Sequence, residues 1–489
     1  MPNVNSVIIF PNFWRNGTVI LSHWRNTITG SGALLVAALL LSACASRTTV
    51  DAKASLSPEE TLNRFAERTL ADPGLRAFLQ QNLGRVPTDE WDFEALCWTA
   101  FYYHPSLALA RAQWASARAL AQTSGELQNP TLSLIPGYDT TRHEGLSPWI
   151  PAVNFDLLVP TNGKRKLQRR IADNDAEAAR LAVFTAAWQV RSDVRKAYFD
   201  AIQAQRRLGL LEQQSALQTQ LSALIDQRFS LGTITAMEAA AARSSLLRTE
   251  MAFTDAKSQL AQSRARLAAS LGVPIAITTS IHLSDTAQTR AFADQEFQRL
   301  RQAALKTRPD LLTALVKFRT AQANLDLEIA KRIPDIHLGP GYQWDQGDNK
   351  WTLGVSFELP IFHSNAGHIQ EAIARRTEAA AQFTLTQTQL INAIDLAKQA
   401  QDAATNQLAR SRDLENESLR QCGLIQQRFA EGAADAVEST MIKLDVITAQ
   451  LAVLDAENAL WISAGQLEDA LQVPLPQFTS VLPTPPTHA

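Results

Sequence analysis

Cys44 has the most specific chemical setting in the chain. An apolar stretch from Ala33 to Leu41 follows Arg25 and closes on Leu41-Ser42-Ala43-Cys44, the pattern of a secretory signal whose small-residue cleavage site ends in a cysteine. A thiol in that position accepts a lipid, and cleavage would leave Cys44 as an acylated N-terminus. The two other cysteines, Cys97 and Cys422, lie in apolar helical periodicity. They read as buried free thiols, with a disulfide between them left open.

Other reactive side chains form no constellation. His363 and His368 are five positions apart and the remaining histidines are scattered. There is no HExxH, no Walker-type glycine loop and no local Ser/His/Asp context, so the expectation is no catalytic residue, no metal ligand and no cofactor. A formal net charge of −2 leaves nothing to attract nucleic acid.

Two short motifs combine an arginine with a helix stop. Arg228-Phe229-Ser230-Leu231-Gly232 is followed by Thr235 and Glu238, and Arg428-Phe429-Ala430-Glu431-Gly432 by Asp435 and Glu438. Gly232 and Gly432 suit helix C-terminal stops, while the Thr/Glu and Asp/Glu spacings suit the N-cap of a following helix. Capping explains the glycines and the acids better than it explains Arg228 and Arg428, although a cation in a last helical turn is favoured by the dipole.

These motifs belong to a long internal repeat. Leu224 to Gly232 returns as Leu424 to Gly432, and Leu271-Gly272-Val273-Pro274 as Leu471-Gln472-Val473-Pro474, both displaced by 200 positions. Upstream, His104-Pro105-Ser106-Leu107 matches Arg308-Pro309-Asp310-Leu311, and Asn129-Pro130 matches Ile333-Pro334, displaced by 204. The four-residue difference falls between Pro130 and Pro160, where a hairpin loop can absorb it. Each half reads helix, two strands, very long helix, sharp turn, long helix.

Gly (20) and Pro (21) are sparse among 489 residues, which predicts few turns and long elements. From Arg165 to Phe229 there is no proline and Gly209 is the only glycine; at ~1.5 Å per residue this predicts a helix of roughly 100 Å. Gly367 to Phe429 has the same character. Val190, Val194, Ala197, Ala201, Leu217, Leu221 and Leu224 give a mostly small apolar stripe suited to close helix packing.

Four strands are predicted between the proline markers. Trp351, Leu353, Val355, Phe357 and Leu359 alternate with Thr352, Gly354, Ser356 and Glu358. Ile336, Leu338, Tyr342 and Trp344 alternate with Asp335, His337, Gly339, Gly341 and Gln343, and Val153, Phe155, Leu157 and Val159 with Asn154, Asp156 and Leu158; Thr131 to Tyr138 is the weakest. Beyond the first fifty residues no apolar run approaches the ~20 needed for a membrane helix, so a bilayer would have to be crossed by strands. Four strands cannot close a barrel, which predicts pooling with other copies. The polar positions Asn154, Asp156, Asp335, His337 and Glu358 would then line a hydrated lumen.

Together the signal, the repeats and the proline markers resemble the TolC-like outer membrane factor family across nearly the whole mature chain. Ala197-Tyr198-Phe199-Asp200-Ala201 is similar to the family's Ala-Tyr-aromatic-Asp stretch, and Gly163-Lys164-Arg165 after Pro160 resembles its heavy-metal efflux branch. The resemblance implies a mainly α chain with a small β part. Its long helical hairpins would form a periplasmic helical barrel, and its four strands would join a trimeric, twelve-stranded transmembrane barrel. It also implies a homotrimer in the outer membrane, sorted there because Ala45 replaces an inner-membrane retention Asp.

The partners so implied are a periplasmic adaptor, which Arg228, Gly232, Arg428 and Gly432 would meet at the tips, and an inner-membrane pump of the RND type. Glu438 falls where a periplasmic gate carboxylate would lie. Met441 and Ala434 occupy the places of a second gate acid and an arginine, and Glu238 repeats Glu438 as a cap.

The expected organisation is a signal peptide over 1–43, an N-terminal lipid-anchored segment over 44–90, repeats over 91–283 and 290–474, and a Pro-rich tail over 475–489. The expected function is a passive exit duct for metal ions or small toxic compounds. Type I protein secretion, or a structural periplasmic coiled-coil lipoprotein, are the competing readings; the latter leaves the strands unexplained.

Overall fold

The computed structural model describes residues 57–141, 145–284 and 294–472. Contacts divide the chain after Asn63, and the description concerns the unit from Arg64 onward. After a helix at Pro58–Ala66 (α1), the order is α2 (Pro73–Leu83), β1 (Glu90–Trp91), α3 (Phe93–Tyr103), α4 (Pro105–Thr123), β2 (Thr131–Tyr138) and β3 (Trp149–Val159). Next come α5 (Lys164–Ser230), α6 (Ala236–Leu271), α7 (Ile275–Ser280), β4 (His282–Leu283), α8 (Asp294–Thr307) and α9 (Pro309–Ala330). β5 (Ile336–Asp345), β6 (Asp348–Phe357), α10 (Ala366–Ala430) and α11 (Ala436–Leu471) complete it.

The repeat is visible in these bounds. Helices α5 and α10 run for 67 and 65 residues, and α6 and α11 for 36 each, the second pair displaced by 200 positions from the first. Elements of ~100 Å far exceed ordinary globular helices. The absence of proline lets each ladder run unbroken, and both stop where a left-handed residue is supplied: Gly232 (φ 69) and Gly432 (φ 77). Thr233 N–H returns to Arg228 O and Ala433 N–H to Arg428 O, closing each last turn.

Helices α5 and α6 form one hairpin and α10 and α11 the other, and α5 packs along α11. Lateral order through the hairpins is therefore α6, α5, α11, α10. Nearer the sheet, α4 packs on α5, α5 on α9, and α9 on α10. The sheet repeats this order as β2, β3, β5, β6, all antiparallel. At every level the same two sides of the chain are left as edges.

The main core sits partway along α5, where α3, α8 and the C-terminal ends of α6 and α11 converge. Leu96, Val194, Tyr198, Leu267, Leu271, Leu467 and Leu471 are buried together there. A short parallel pair, Glu90 with His282 and Trp91 with Leu283, ties the chain ahead of α3 to the segment after α7. No described helix is long and apolar enough to cross a membrane.

Candidate functional site

Strand register sorts the sheet into two chemically different faces. Ser133 pairs with Asn154, Thr131 with Asp156, Asn154 with Gly341, and His337 with Ser356. Directly opposed residues share a face, so these polar side chains lie together. His337 Nδ1 is 3.1 Å from both carboxylate oxygens of Asp156, joining β5 to β3 on that face. Glu358 follows β6 by one residue and is exposed.

The other face is apolar and open to solvent. Leu134 (65% exposed), Trp351 (79%) and Leu353 (72%) belong to it, with Leu132, Phe155 and Val355. A protein in water rarely presents so large an apolar surface. At the hairpin end of the strands Tyr138 packs edge-on to Trp149 at 5.1 Å, and Tyr342 against Trp351 at 4.8 Å. Amphipathic rings gathered at one level suit the boundary between headgroups and hydrocarbon.

Asp335 departs from the expectation of a strand-face residue. It precedes β5, and its Oδ1 accepts from Lys164 Nζ at 2.8 Å and from Thr161 N–H at 2.8 Å. The Gly163-Lys164-Arg165 tripeptide thus has a local structural account. Gly163 takes φ 71 at the N-cap of α5, Lys164 reaches Asp335, and Arg165 Nε donates to Gly125 O.

The tips differ from one another more than the repeated sequence suggests. At the first, Thr235 and Glu238 form a complete reciprocal capping box, and the backbone and side-chain hydrogen bonds of Thr235 hold the Glu238 carboxyl below its ordinary range. At the second, Asp435 caps α11 by accepting from Glu438 N–H at 2.9 Å, while the Glu438 carboxylate lies 3.5 Å from Arg428. Glu438 is therefore not a repeat of the Glu238 cap.

Arg228 crosses between hairpins to donate to Asp435 Oδ2 at 2.7 Å, and Arg428 donates to its own turn at Ala433 O, 3.2 Å away. Beside the second tip a groove of about 740 Å³ has an apolar floor that includes Leu424 and Met441, with Arg428 and Glu438 among its polar lining.

Sequence reasoning missed a buried charge cluster between α5 and α11. Arg191 and Glu468 are both fully buried, 2.5 Å apart, and Arg195 bridges Glu468 at 2.5 Å and Asp469 at 2.6 Å. Arg195 also donates to Gly465 O at 2.8 Å, and the guanidinium lies where a Cβ on Gly465 would stand. Phe93 and Trp188 rings flank Arg191 at 5.2 Å. The available signal was two arginines inside the apolar stripe of α5.

Cys97 and Cys422 are free and buried, and burial pushes the Cys97 thiol well above its ordinary range. Among the described residues no group of three or more His, Cys, Asp or Glu could hold a metal ion. Cys44 lies outside the described residues.

A repeated helical hairpin joined to an open sheet, with one polar and one exposed apolar face, defines a channel-forming envelope protein. The profile of the family described as outer membrane efflux protein matches residues 100–273 and 300–472. The chain belongs to that family and is an outer-membrane efflux channel, not an enzyme. It is 23% identical over 357 residues to the cobalt-zinc-cadmium resistance protein CzcC of Cupriavidus metallidurans, covering 71% of this chain and 80% of that one. Outer membrane protein OprJ of Pseudomonas aeruginosa is 24% identical over 344 residues, covering 66% of this chain and 68% of OprJ. The crystal structure of the outer membrane protein VceC from Vibrio cholerae superposes with a TM-score of 0.65 at 18% identity, covering 78% of this chain and 95% of VceC.

Proposed function

We propose that three copies of this chain close into one duct and pass metal ions or small toxic compounds outward. Delivery to the duct is by an inner-membrane pump of the RND type through a periplasmic adaptor. The observation that carries this reading is the open sheet: four strands with free β2 and β6 edges and an exposed apolar face. Unpaired strand edges are unstable in a bilayer and the apolar face is unstable in water, so joining β6 of one copy to β2 of the next within the membrane satisfies both. The same edges recur as α10 and α6 in the hairpins, so one rotation closes sheet and helices together.

Asn154, Asp156, His337 and Glu358 then wet the strand portion of the lumen, and the tips around Arg228, Gly232, Arg428 and Gly432 face the adaptor. Likeness to a cobalt-zinc-cadmium resistance protein supports metal ions as cargo. Lipidation at Cys44 fixes the N-terminus at the periplasmic leaflet.

The test joins assembly to export. Extracted protein is expected as a heat-modifiable oligomer near three times the mass of the protomer that begins at Cys44, which is smaller than the 53.7 kDa of the full chain, and a deletion host is expected to lose resistance to a divalent metal or small toxicant. A monodisperse monomer in mild detergent, or a deletion that leaves every resistance intact, would overturn the reading.

A further inference from the structure

We propose that His337 is a transit ligand for borderline divalent cations such as zinc or cobalt, with Nε2 as the coordinating atom and Asp156 as the group that orients the ring. This assignment rests on the three-copy ring proposed above, which turns the polar face of the sheet toward the lumen, and it narrows the cargo of that duct to a chemical class.

The imidazole is held between adjacent strands. His337 is the second residue of β5 and pairs with Leu158 of β3 and Ser356 of β6. Asp156 lies two residues before Leu158 and therefore on the same face. Both of its carboxylate oxygens stand 3.1 Å from His337 Nδ1. An ionised carboxylate only accepts, so in the neutral ring Nδ1 carries the proton and Nε2 keeps its lone pair. Donation from one ring nitrogen to a carboxylate is what fixes the tautomer of a metal-binding imidazole and raises its basicity at the other nitrogen. His368 offers a contrast: its Nδ1 is 3.7 Å from Glu371, beyond a hydrogen bond, and its side chain is 72% exposed.

The ring is also reachable. Its side chain is 42% exposed and that of Asp156 51%. The next position of β5 on this face is Gly339, whose partner on β6 is Gly354, so that pair puts no side chain beside the imidazole. The preceding position, Asp335, is taken by Lys164 at 2.8 Å. Each copy thus offers one imidazole and one orienting carboxylate, with water completing the shell of the ion. That is too few protein donors for a resident metal, in accord with the lack of any three-residue metal group among the described residues. A duct needs sites that bind weakly enough to release. Imidazole also selects zinc, cobalt, nickel and copper over magnesium and calcium, which prefer oxygen.

The test is carbethoxylation of the extracted full-length oligomer by diethylpyrocarbonate, which attacks an unprotonated, unligated imidazole nitrogen. Rates at His337, His363 and His368 are read peptide by peptide by mass spectrometry with zinc, cobalt or magnesium ions added, and the same samples are run on a gel for oligomer mass. Zinc and cobalt are expected to slow labelling of His337 several-fold at concentrations that leave His363 and His368 unchanged, and magnesium to have no effect. Asp156→Ala is expected to keep the oligomer and to raise the zinc concentration needed by about 10- to 100-fold. Asp156→Glu is expected to recover part of that loss.

Equal labelling of His337 with zinc and with magnesium, in an intact oligomer, overturns the proposal and leaves the ring standing. Protection of His363 or His368 in step with His337 also overturns it, because the Asp156 arrangement would then confer nothing. An unshifted zinc dependence in Asp156→Ala removes the orienting role and the proposal as stated. A monomer on the gel removes the ring, and the lumen ligand falls with it.

Discussion

Lys164 at the foot of α5 lies 2.8 Å from Asp335 at the foot of β5 and also donates to Ile333 O at 2.6 Å, so the two repeats are clasped where helices give way to strands. The Lys164 side chain is only 9% exposed, and an unmade charged hydrogen bond there is expensive. Asp335→Asn or Lys164→Met is expected to lower oligomer stability by about 1–3 kcal/mol. The apolar double variant Lys164→Met/Asp335→Leu is expected to lose less than the sum of the single ones. The temperature at which the extracted oligomer collapses to monomer on a gel measures this; additive losses would show that the two do not act as a pair.

Much of this architecture was legible because the same residue types do the same work twice. Proline-free sequence from Arg165 to Phe229 marked α5 to within a residue at each end, and alternation marked β6 from Trp351 onward. What stayed hidden was contact between segments far apart in sequence. Nothing near Asp335 shows that Lys164, 171 residues earlier, will take it from the strand face. Nothing near Arg191 shows that Glu468 faces it, because the partnership depends on which side of α5 the second hairpin packs. The resemblance of Glu238 to Glu438 also misled, since identical spacing gives a full capping box at one tip and an arginine contact at the other.

Glu468→Gln is expected to be among the most destabilising single changes in the helical part. Arg195 keeps Asp469 at 2.6 Å, but Arg191 would be left fully buried with its counter-charge gone. Breaking a buried pair in this way costs about 3–5 kcal/mol. Arg191→Met/Glu468→Leu is expected to recover most of the loss, as both charges then leave the core. Thermal melting of the solubilised protein followed by circular dichroism checks the order; a double variant as unstable as Glu468→Gln would refute the pairing.

At the second tip Asp435 accepts from the Glu438 N–H and then from Arg228, and these interactions hold its carboxyl below the ordinary aspartate range. A carboxyl whose folded value is depressed contributes stability fully above its unfolded value and loses it as pH falls through the folded one. Local opening around 430–440, read by hydrogen exchange corrected for intrinsic rates, is expected to be flat at neutral pH and to rise below about pH 4. Asp435→Asn keeps an N-cap but not the ionised bridge, and is expected to remove the pH step. A step that persists in that variant would assign it to another group.

Cys44→Ser is expected to abolish acylation while leaving the oligomer able to form, because strand closure rather than the lipid holds the barrel in the bilayer. Metabolic labelling with palmitate gives the readout. Label retained by the Ser variant would place the lipid elsewhere.

The double variant Arg228→Ala/Arg428→Ala is expected to reach the outer membrane as normal oligomer and to lose both adaptor crosslinking and resistance. Each arginine has an internal partner: Arg228 holds Asp435 at 2.7 Å, and Arg428 donates to Ala433 O and lies 3.5 Å from Glu438. Their side chains are nonetheless 37% and 53% exposed, and ion pairs in water are worth only about 0–1 kcal/mol each. Their removal is small against a core built from α3, α5, α6 and α11, and the ion pairs of Arg191 and Arg195 with Glu468 and Asp469 remain between α5 and α11. At an interface the same arginine can be worth more than about 2 kcal/mol, because its planar fork binds carbonyls or carboxylates in a desolvated setting. Both tips keep Gln-Arg-Phe-x-x-Gly although the intervening residues change from Ser230-Leu231 to Ala430-Glu431, a pattern that a turn and a cap alone do not require. Arg228→Lys/Arg428→Lys separates the explanations, since lysine keeps the charge but not the fork. Restored assembly-independent coupling in the lysine variant would reduce the role to charge; failure of the alanine variant to assemble would make the arginines structural, and resistance with crosslinking intact would remove them from docking.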